Sequence, residues 1–224
     1  MKTIILGFAA IGLFTLVGCR ISKNSRVNKI TDLDGNVYNS VTIGTQEWMT
    51  ENLRTTKYSD GTPIINVTDV REWRNMKTGA WCYYENDSQN DSLYGKLYNW
   101  YAVETEKLCP SGWHVPTYVE WTVLTDYLAA NGHNGAEGAA LKNTSGWNYN
   151  GNGTDDFGWL GLPGGRRDFL GEFVLIGNSG SWWSTKNGTY NARVRYINGY
   201  DASVSIGGGI GFEIYGFSVR CLKD

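Results

Sequence analysis

Short segments separated by turn-forming residues are the feature that most limits how this chain can fold. Of its 224 residues, 29 are glycine, 10 are tryptophan and 14 are tyrosine. Glycine permits tight turns and aromatic residues favour strands, so the pattern indicates a strand-rich domain with many turns rather than a helical bundle. Hydrophobic residues make up 41% of the chain, which is enough to form a buried core.

One stretch has a clear helical pattern. Thr117 is a candidate N-cap and Glu120 follows three residues later, which is the capping-box arrangement. The apolar face of this helix is formed by Trp121, Leu124 and Leu128. The pair at 131–132, Asn-Gly, predicts where the helix ends. A second helix is predicted over residues 94–105, where apolar residues recur at helical spacing.

Alternating apolar and polar residues predict short strands around these helices. Residues 37–43 alternate after the turn signal at 34–36, and residues 167–173 have the pattern of a hairpin. Residues 217–221 predict a closing strand, whereas residues 133–156 are rich in glycine and asparagine and predict a long irregular loop. The predicted fold class is therefore α+β, with two central helices, short antiparallel strands and long loops.

The first residues have the pattern of a bacterial lipoprotein leader. Lys2 supplies a positive charge, and the apolar run from Ile4 to Val17 is too short to span a membrane comfortably. The run ends in Leu-Val-Gly before Cys19, which resembles the lipobox in which the cysteine thiol is diacylated. An ordinary signal peptide with a chance cysteine is the alternative.

A lipidated Cys19 would hold the protein on a membrane without a spanning helix, since each buried CH₂ of an acyl chain contributes about 0.8 kcal/mol. The predicted organisation is a signal peptide over residues 1–18, a lipidated tether over residues 19–27 and one domain over residues 28–224. The predicted location is the outer membrane, where palmitate-type chains would anchor the protein. The sequence is compatible with either side of that membrane, the periplasmic side or the cell surface.

Three cysteines remain once Cys19 carries lipid. An oxidising compartment favours one disulfide among Cys82, Cys109 and Cys221, and three pairings are possible. We favour Cys109–Cys221, because it ties the middle of the chain to its last strand. The closed loop of about 110 residues would contribute roughly 4–5 kcal/mol in the chain-entropy model. Cys82 would then be a small buried hydrophobic residue.

Several short motifs resemble one distinctive bacterial family. They are spread over the mature chain at residues 32–38, 43–49, 51–56, 97–103, 109–117, 162–166, 182–184 and 216–221. Together they resemble the Fibrobacter succinogenes major paralogous domain, found in many lipoproteins of Bacteroidetes and Fibrobacteres. That family is similar to the formylglycine-generating-enzyme branch of the C-type lectin-like fold. The resemblance therefore implies an irregular C-type lectin-like fold.

An oxidase is the activity that the enzyme branch implies, but the cysteines do not support it. Those enzymes bind copper through a cysteine pair near their C-terminal end, whereas residues 180–197 contain no cysteine and Cys221 stands alone. His114 precedes a helix cap and is interpreted as structural. Asparagine and aspartate recur over residues 148–155 at a spacing similar to that of a calcium-binding loop, but Trp159 stands where the loop would need its final glutamate. We expect no enzyme activity, no catalytic residue, no metal and no cofactor.

The last third of the chain has the residues of a binding surface. Its candidate ligand-binding residues are Tyr190, Asn191, Arg193, Arg195, Tyr196 and Tyr200. Aromatic, amide and arginine side chains stack on sugar rings or contact protein side chains. Arg193 and Arg195 alternate with apolar residues and would project from one strand face. A half-solvated strand with solubilising arginines explains the same pattern equally well.

These observations predict a membrane-anchored, non-catalytic binding or adhesion module of the cell envelope. Its partners would be the membrane, through the N-terminal lipid, and a glycan or protein ligand. A structural coat or assembly component without a small ligand is the alternative, and an oxidase of the formylglycine-generating type is less favoured. The formal net charge of -2 argues against a nucleic-acid partner.

Overall fold

The computed structural model describes residues 29–185 and 192–224. The predicted signal peptide, Cys19, the tether, Tyr190 and Asn191 lie outside these residues. The described strands are β1 (Ile30–Thr31), β2 (Val37–Tyr38), β3 (Ser40–Ile43), β4 (Gln46–Met49), β5 (Ile65–Asn66), β6 (Ala80–Cys82), β7 (Leu97–Tyr98), β8 (Trp113–His114), β9 (Gly164–Arg167), β10 (Phe173–Ile176), β11 (Ser179–Ser184), β12 (Arg193–Asn198), β13 (Val204–Gly208) and β14 (Leu222–Lys223).

The α-helices of the described ranges are α1 (Val70–Asn75), α2 (Asp91–Tyr94), α3 (Trp100–Val103), α4 (Tyr118–Leu128) and α5 (Glu137–Leu141). Short 3-10 turns occur at Tyr84–Asn86, Ser88–Asn90 and Phe212–Ile214, and a π-helical turn at Ala129–His133 follows α4. Within these ranges, every helix falls short of the length and apolarity needed to cross a membrane.

Four small sheets organise the described strands. The largest has the order β10-β9-β11-β12-β13, in which only the β9–β11 pair is parallel. A second sheet has the order β3-β4-β14-β8, a third is β5-β6-β7, and β1 pairs with β2. This mixture of helices and mostly antiparallel strands confirms the predicted α+β class. The closing strand lies at β14 rather than at 217–221, where Phe217 and Ser218 form only isolated bridges.

The predicted capping box forms at the start of α4. The Thr117 hydroxyl accepts from the Glu120 amide, and the Glu120 carboxylate accepts from the Thr117 amide at 2.7 Å. The residues of its buried face are Trp121, Leu124 and Leu128, as predicted. The helical turns end at Gly132, whose φ of +97° favours a residue without a Cβ.

The helix predicted over residues 94–105 is wrong for most of its length. Gly95 ends α2 at a positive φ of 71°, and residues 97–98 instead form β7, which pairs with β6. A new helix, α3, begins after Asn99, whose side chain accepts from the Ala102 amide. Tertiary strand pairing and a second N-cap therefore override the helical spacing of the apolar residues.

Both predicted hairpins form. β1 and β2 pair across the turn at 34–36, where Gly35 has a φ of +82°, and β9 pairs with β10 around a turn at 168–171. The predicted strand over 37–43 is divided at Asn39, because the Asn39 amide donates to Glu51 at 2.9 Å.

Four tryptophans pack in the interior, and we call this group the tryptophan cluster. Its members are Trp48, Trp121, Trp159 and Trp182, whose successive ring centroids are 5.0, 5.7 and 5.0 Å apart. Arg220 lies among them, 3.8 Å from the centroid of the Trp159 ring. Its guanidinium donates to Asn52 Oδ1 at 3.0 Å and to the Trp159 carbonyl, and burial lowers its pKa to about 9.

The Cys109–Cys221 disulfide is present and joins residues 112 positions apart. Cys82 is a free, buried cysteine, as predicted. Burial raises the pKa of its thiol to about 12, because a thiolate is poorly solvated in an apolar interior.

Candidate functional site

Strand β12 carries three of the predicted ligand-binding residues, and it separates them. Arg195 is only 3% exposed, and its guanidinium lies 4.5 Å from the Tyr118 ring centroid on α4. It also donates to the Tyr118 carbonyl and to Thr122 Oγ1. Arg193 is partly exposed. By strand alternation the two arginines do lie on one face of β12, but Arg195 is buried against α4 and joins the sheet to that helix instead of facing solvent.

The other predicted residues lie apart from this pair. Tyr196 points to the opposite face of β12, since neighbouring side chains of a strand alternate. Tyr200 is 79% exposed and follows β12 at the end remote from Arg193. The described part of the predicted patch is thus not one surface.

Tyr196 instead belongs to a row of side chains that crosses the large sheet. Gly165 is opposite Gly180, and Ser181 is opposite Tyr196, so Arg166, Ser181 and Tyr196 are neighbours on one face. Because Ser181 is small, the Arg166 guanidinium reaches over β11 and lies 5.6 Å from the Tyr196 ring centroid. The buried Ser181 hydroxyl has no hydrogen-bond partner among the described residues.

A stack of aromatic rings lies beside this row. Tyr215 stacks on the buried Phe217 at 5.3 Å and on Phe212 at 4.8 Å between ring centroids. The ring centroid of Phe169, a residue that is 49% exposed, lies 6.0 Å from that of Tyr215. We call the partly exposed rings of Phe169, Tyr196, Phe212 and Tyr215, together with Arg166, the aromatic surface.

The aromatic surface packs on rings of the core. The ring centroids of Phe217 and Trp183 are 4.6 Å apart, and those of Trp183 and Trp100 are 5.4 Å apart. Trp183 Nε1 also donates to the Tyr98 carbonyl at 2.6 Å. On β13, a Cβ at Gly207 would lie 2.5 Å from the Tyr196 ring, so only glycine leaves that ring its position. The outer rings are therefore held in place before any ligand arrives.

The polar groups of this surface are protonated and, in one case, unpaired. Burial raises the pKa of Tyr196 to about 12, although Arg166 opposes this shift, and burial also raises the pKa of Tyr215. Both phenols are thus neutral donors at physiological pH. Arg166 makes neither an ion pair nor a hydrogen bond with any residue of the described ranges, and its Nε is buried.

Two open clefts flank Trp113 elsewhere on the molecule. Their volumes are about 390 and 360 Å³, and they share Leu108, Cys109 and Trp113 as lining residues. Two of the three lysines that line the larger cleft are already paired, Lys57 with Asp34 at 3.0 Å and Lys223 with Glu47 at 2.7 Å, and the third is Lys29. Because most of its positive charge is neutralised within the protein, this cleft is a weaker candidate than the aromatic surface.

His114 lies at the rim of these clefts between two carboxylates. Its Nδ1 is 2.7 Å from Asp224 Oδ1 and its Nε2 is 3.0 Å from Glu120 Oε1. The hydrogen bond to Glu120 raises the pKa of His114 to about 9, against the opposing effect of burial. An imidazolium with both N–H groups engaged has no nitrogen left for proton transfer, which agrees with a structural role.

Within 29–185 and 192–224, no three histidine, cysteine, aspartate or glutamate side chains are grouped to hold a metal ion. Near the calcium-loop-like spacing at 148–155, the ammonium of Lys142 contacts the carbonyls of Asn198 and Asp201 at 3.1 and 2.9 Å.

Reasoning from the sequence missed Arg166 and most of the aromatic surface. Three aromatic residues fall within the six positions 212–217, and this density in the sequence would have indicated an aromatic cluster. Arg166 stands in the family-like motif at 162–166, but only the sheet order brings it to Tyr196.

Comparison with known proteins gives one match. A family model described as the Fibrobacter succinogenes major domain matches residues 41–223. No curated protein and no solved structure matches the chain. The matched range contains Arg166, the whole aromatic surface and both disulfide cysteines.

Proposed function

This chain belongs to the Fibrobacter succinogenes major domain family, and on that premise we propose that it is a non-catalytic binding module of the cell envelope. Its N-terminal lipid on Cys19 holds it at the outer membrane, and its aromatic surface binds a glycan.

The stacked rings of the aromatic surface carry the proposal. Phe212 and Tyr215 are nearly parallel, at 15°, and both are partly exposed. A pyranose ring has an apolar face of C–H groups that packs on such rings, while phenol and guanidinium groups bond its hydroxyls. Because Phe217 and Trp183 already fix the rings, binding orders few additional side chains, and less free energy is lost to entropy.

The reactive groups of the molecule support a function without chemistry. Cys109 and Cys221 are joined in a disulfide, and the Cys82 thiol is buried with its pKa raised to about 12. A cysteine nucleophile needs an accessible thiolate, which none of these three provides. His114 has both ring nitrogens engaged by carboxylates.

The glycan proposal is tested with the mature protein, purified in detergent and applied to a glycan array. Tyr215→Ala and Phe169→Ala should each weaken retention by about 2- to 10-fold, since aromatic contacts contribute about 0.5–1.5 kcal/mol. Tyr149→Ala is the matched control, because Tyr149 is an exposed tyrosine outside the surface. Melting curves establish that each variant is folded. Equal retention of all variants would refute the assignment of the site.

The anchor is tested separately by metabolic labelling with a palmitate analogue. The wild-type protein should be labelled and should fractionate with the outer membrane. Cys19→Ala should lose both properties. Labelling that persists in Cys19→Ala would contradict the proposed lipid site.

A structural assembly component is the second candidate, and α4 favours it. Val119, Val123 and Tyr127 are exposed at successive four-residue intervals, so they form an apolar stripe on the solvent side of the helix. If no glycan is retained on the array, and Val123→Asp abolishes the capture of an envelope protein, the assembly function replaces the glycan-binding one.

A further inference from the structure

Arg166 differs from the other arginines that line the core. Its strand neighbour Arg167 is fully buried and donates three hydrogen bonds, to the carbonyls of Gly171, Val67 and Thr68 at 2.8–2.9 Å. Arg195 and Arg220 likewise donate to carbonyl or side-chain oxygens. Among the residues that the structure describes, Arg166 lies over the ring of Tyr196 and interacts electrostatically with Tyr196 and Tyr215, but it donates a hydrogen bond to no oxygen.

A half-buried guanidinium without an oxygen acceptor is energetically unfavourable. Burial removes water from its Nε, and the Tyr196 ring compensates the charge but accepts no conventional hydrogen bond. The adjacent acid does not supply the acceptor either. Asp168 accepts from the amides of Leu170 and Glu172 at 2.9 and 3.0 Å, and this holds its carboxylate within the hairpin turn.

The groups around Arg166 form a site for a ligand that carries a carboxylate on a sugar ring. Tyr196 and Tyr215, which interact electrostatically with Arg166, offer neutral phenols from partly exposed side chains. A planar carboxylate matches the two parallel N–H groups of a guanidinium better than any neutral hydroxyl does. The stacked Phe212 and Tyr215 rings lie beside it to receive the apolar face of a sugar.

We infer that the ligand of the aromatic surface is an acidic glycan and that Arg166 binds the carboxylate of one of its uronic acid residues. This inference rests on the proposed glycan-binding function. The inference specifies the negative charge of the ligand and the residue that binds the charged group.

The test uses the mature protein in detergent with hyaluronan, alginate and polygalacturonate. Each polysaccharide is supplied in its native form and in a carboxyl-reduced form, in which the uronic acids have become neutral sugars with the same linkages. At least one native form should bind about 10- to 100-fold more tightly than its reduced form, as expected for loss of a charge-assisted pair. The preference should weaken as salt is added.

Variants assign the preference to Arg166. Arg166→Met should abolish the difference between native and reduced polysaccharide, and Arg166→Lys should retain part of it, because lysine keeps the charge but not the paired donors. Lys57→Met is the matched control, since it removes one positive charge at the cleft beside Trp113 and should leave the preference intact. A melting curve for each variant confirms folding.

The possible failures are distinguishable. Equal binding of native and reduced polysaccharides, or an unchanged preference in Arg166→Met, would overturn the acidic-ligand inference and leave the glycan-binding function standing. Binding confined to neutral glycans on the array would do the same. Retention of no glycan at all, acidic or neutral, would overturn both.

Discussion

The tryptophan cluster and the aromatic surface are built from the same kinds of residues, aromatic rings with an arginine over one of them. In the tryptophan cluster, Arg220 lies 3.8 Å from the Trp159 ring centroid and also donates to the Trp159 carbonyl and to Asn52 Oδ1. At the aromatic surface, Arg166 lies 5.6 Å from the Tyr196 ring centroid and donates to no oxygen of the described residues.

The difference shows that acceptors for the terminal guanidinium nitrogens, rather than residue type, separate a structural arginine from a binding one, since the Nε of both arginines is buried without a partner in the described residues. A fully buried cation must find its acceptors within the protein, because no ligand can reach it. A half-buried cation at a partly exposed stack can leave its donors for a ligand. One chain segment serves both regions, since residues 217–221 contain Phe217, on which Tyr215 of the aromatic surface stacks, and Arg220 of the tryptophan cluster.

The largest expected effect comes from releasing that segment. Replacing Cys109 and Cys221 together by serine should lower the free energy of unfolding by about 4–5 kcal/mol, because the disulfide closes a loop between residues 112 positions apart. Urea unfolding, followed by tryptophan fluorescence and by ligand binding, should show both regions losing order in one transition. Two separate transitions would contradict the shared dependence of the two regions.

Removing the buried Arg220 should have a slightly smaller effect on stability. Arg220→Met leaves the Trp159 carbonyl without its guanidinium donor and removes the cation from the tryptophan rings, whereas Asn52 Oδ1 still accepts from Trp182 Nε1. The loss should be about 2–4 kcal/mol. Chemical denaturation measures the change. A loss below about 1 kcal/mol would show that the tryptophan cluster does not depend on the cation.

A change of pH should act on the stability of the fold through His114, which links β8 to α4. The pKa of His114 is raised from 6.5 to about 9 by its hydrogen bond to Glu120. Its contribution to stability is therefore fully present below about pH 6.5 and is lost as the pH rises through about 9. The melting temperature should fall between pH 6 and pH 10 by more in the wild type than in His114→Gln. Parallel curves for the two proteins would contradict this role.

The smallest expected effect on stability is that of Arg166→Met. Since Arg166 donates to no described oxygen, its removal leaves no acceptor unsatisfied, and the free energy of unfolding should change by less than about 0.5 kcal/mol. Urea unfolding of this variant beside Arg220→Met compares the two regions directly. A loss similar to that of Arg220→Met would remove the distinction between them.

The local features of the fold were predictable from the sequence. Thr117 and Glu120 predict the start of α4, and the turn at 34–36 predicts the first hairpin, because each feature depends on interactions within a few residues. The Cys109–Cys221 disulfide was the favoured of three possible pairings. The helix predicted over 94–105 was wrong where pairing between β6 and β7, in the register Trp81–Tyr98 and Cys82–Leu97, outweighed local spacing.

The site was less predictable, because it depends on the order of strands in the sheet. Alternation along β12 correctly separates Arg195 from Tyr196, but it does not reveal that α4 covers the face of Arg195. Arg166 and Tyr196 meet only because β11 lies between their strands and carries Ser181 at the crossing. Such register is set by long-range packing, which the pattern of one strand does not contain.

The position of β14 in the middle of its sheet has a consequence for biogenesis. β14 lies between β4 and β8, so strands from early and central parts of the chain depend on Leu222 and Lys223 for their pairing. A polypeptide that is synthesised N-terminus first cannot complete this sheet until its final strand has been made. Until then the edges of β4 and β8 are open to wrong partners, and chaperones would have to shield them.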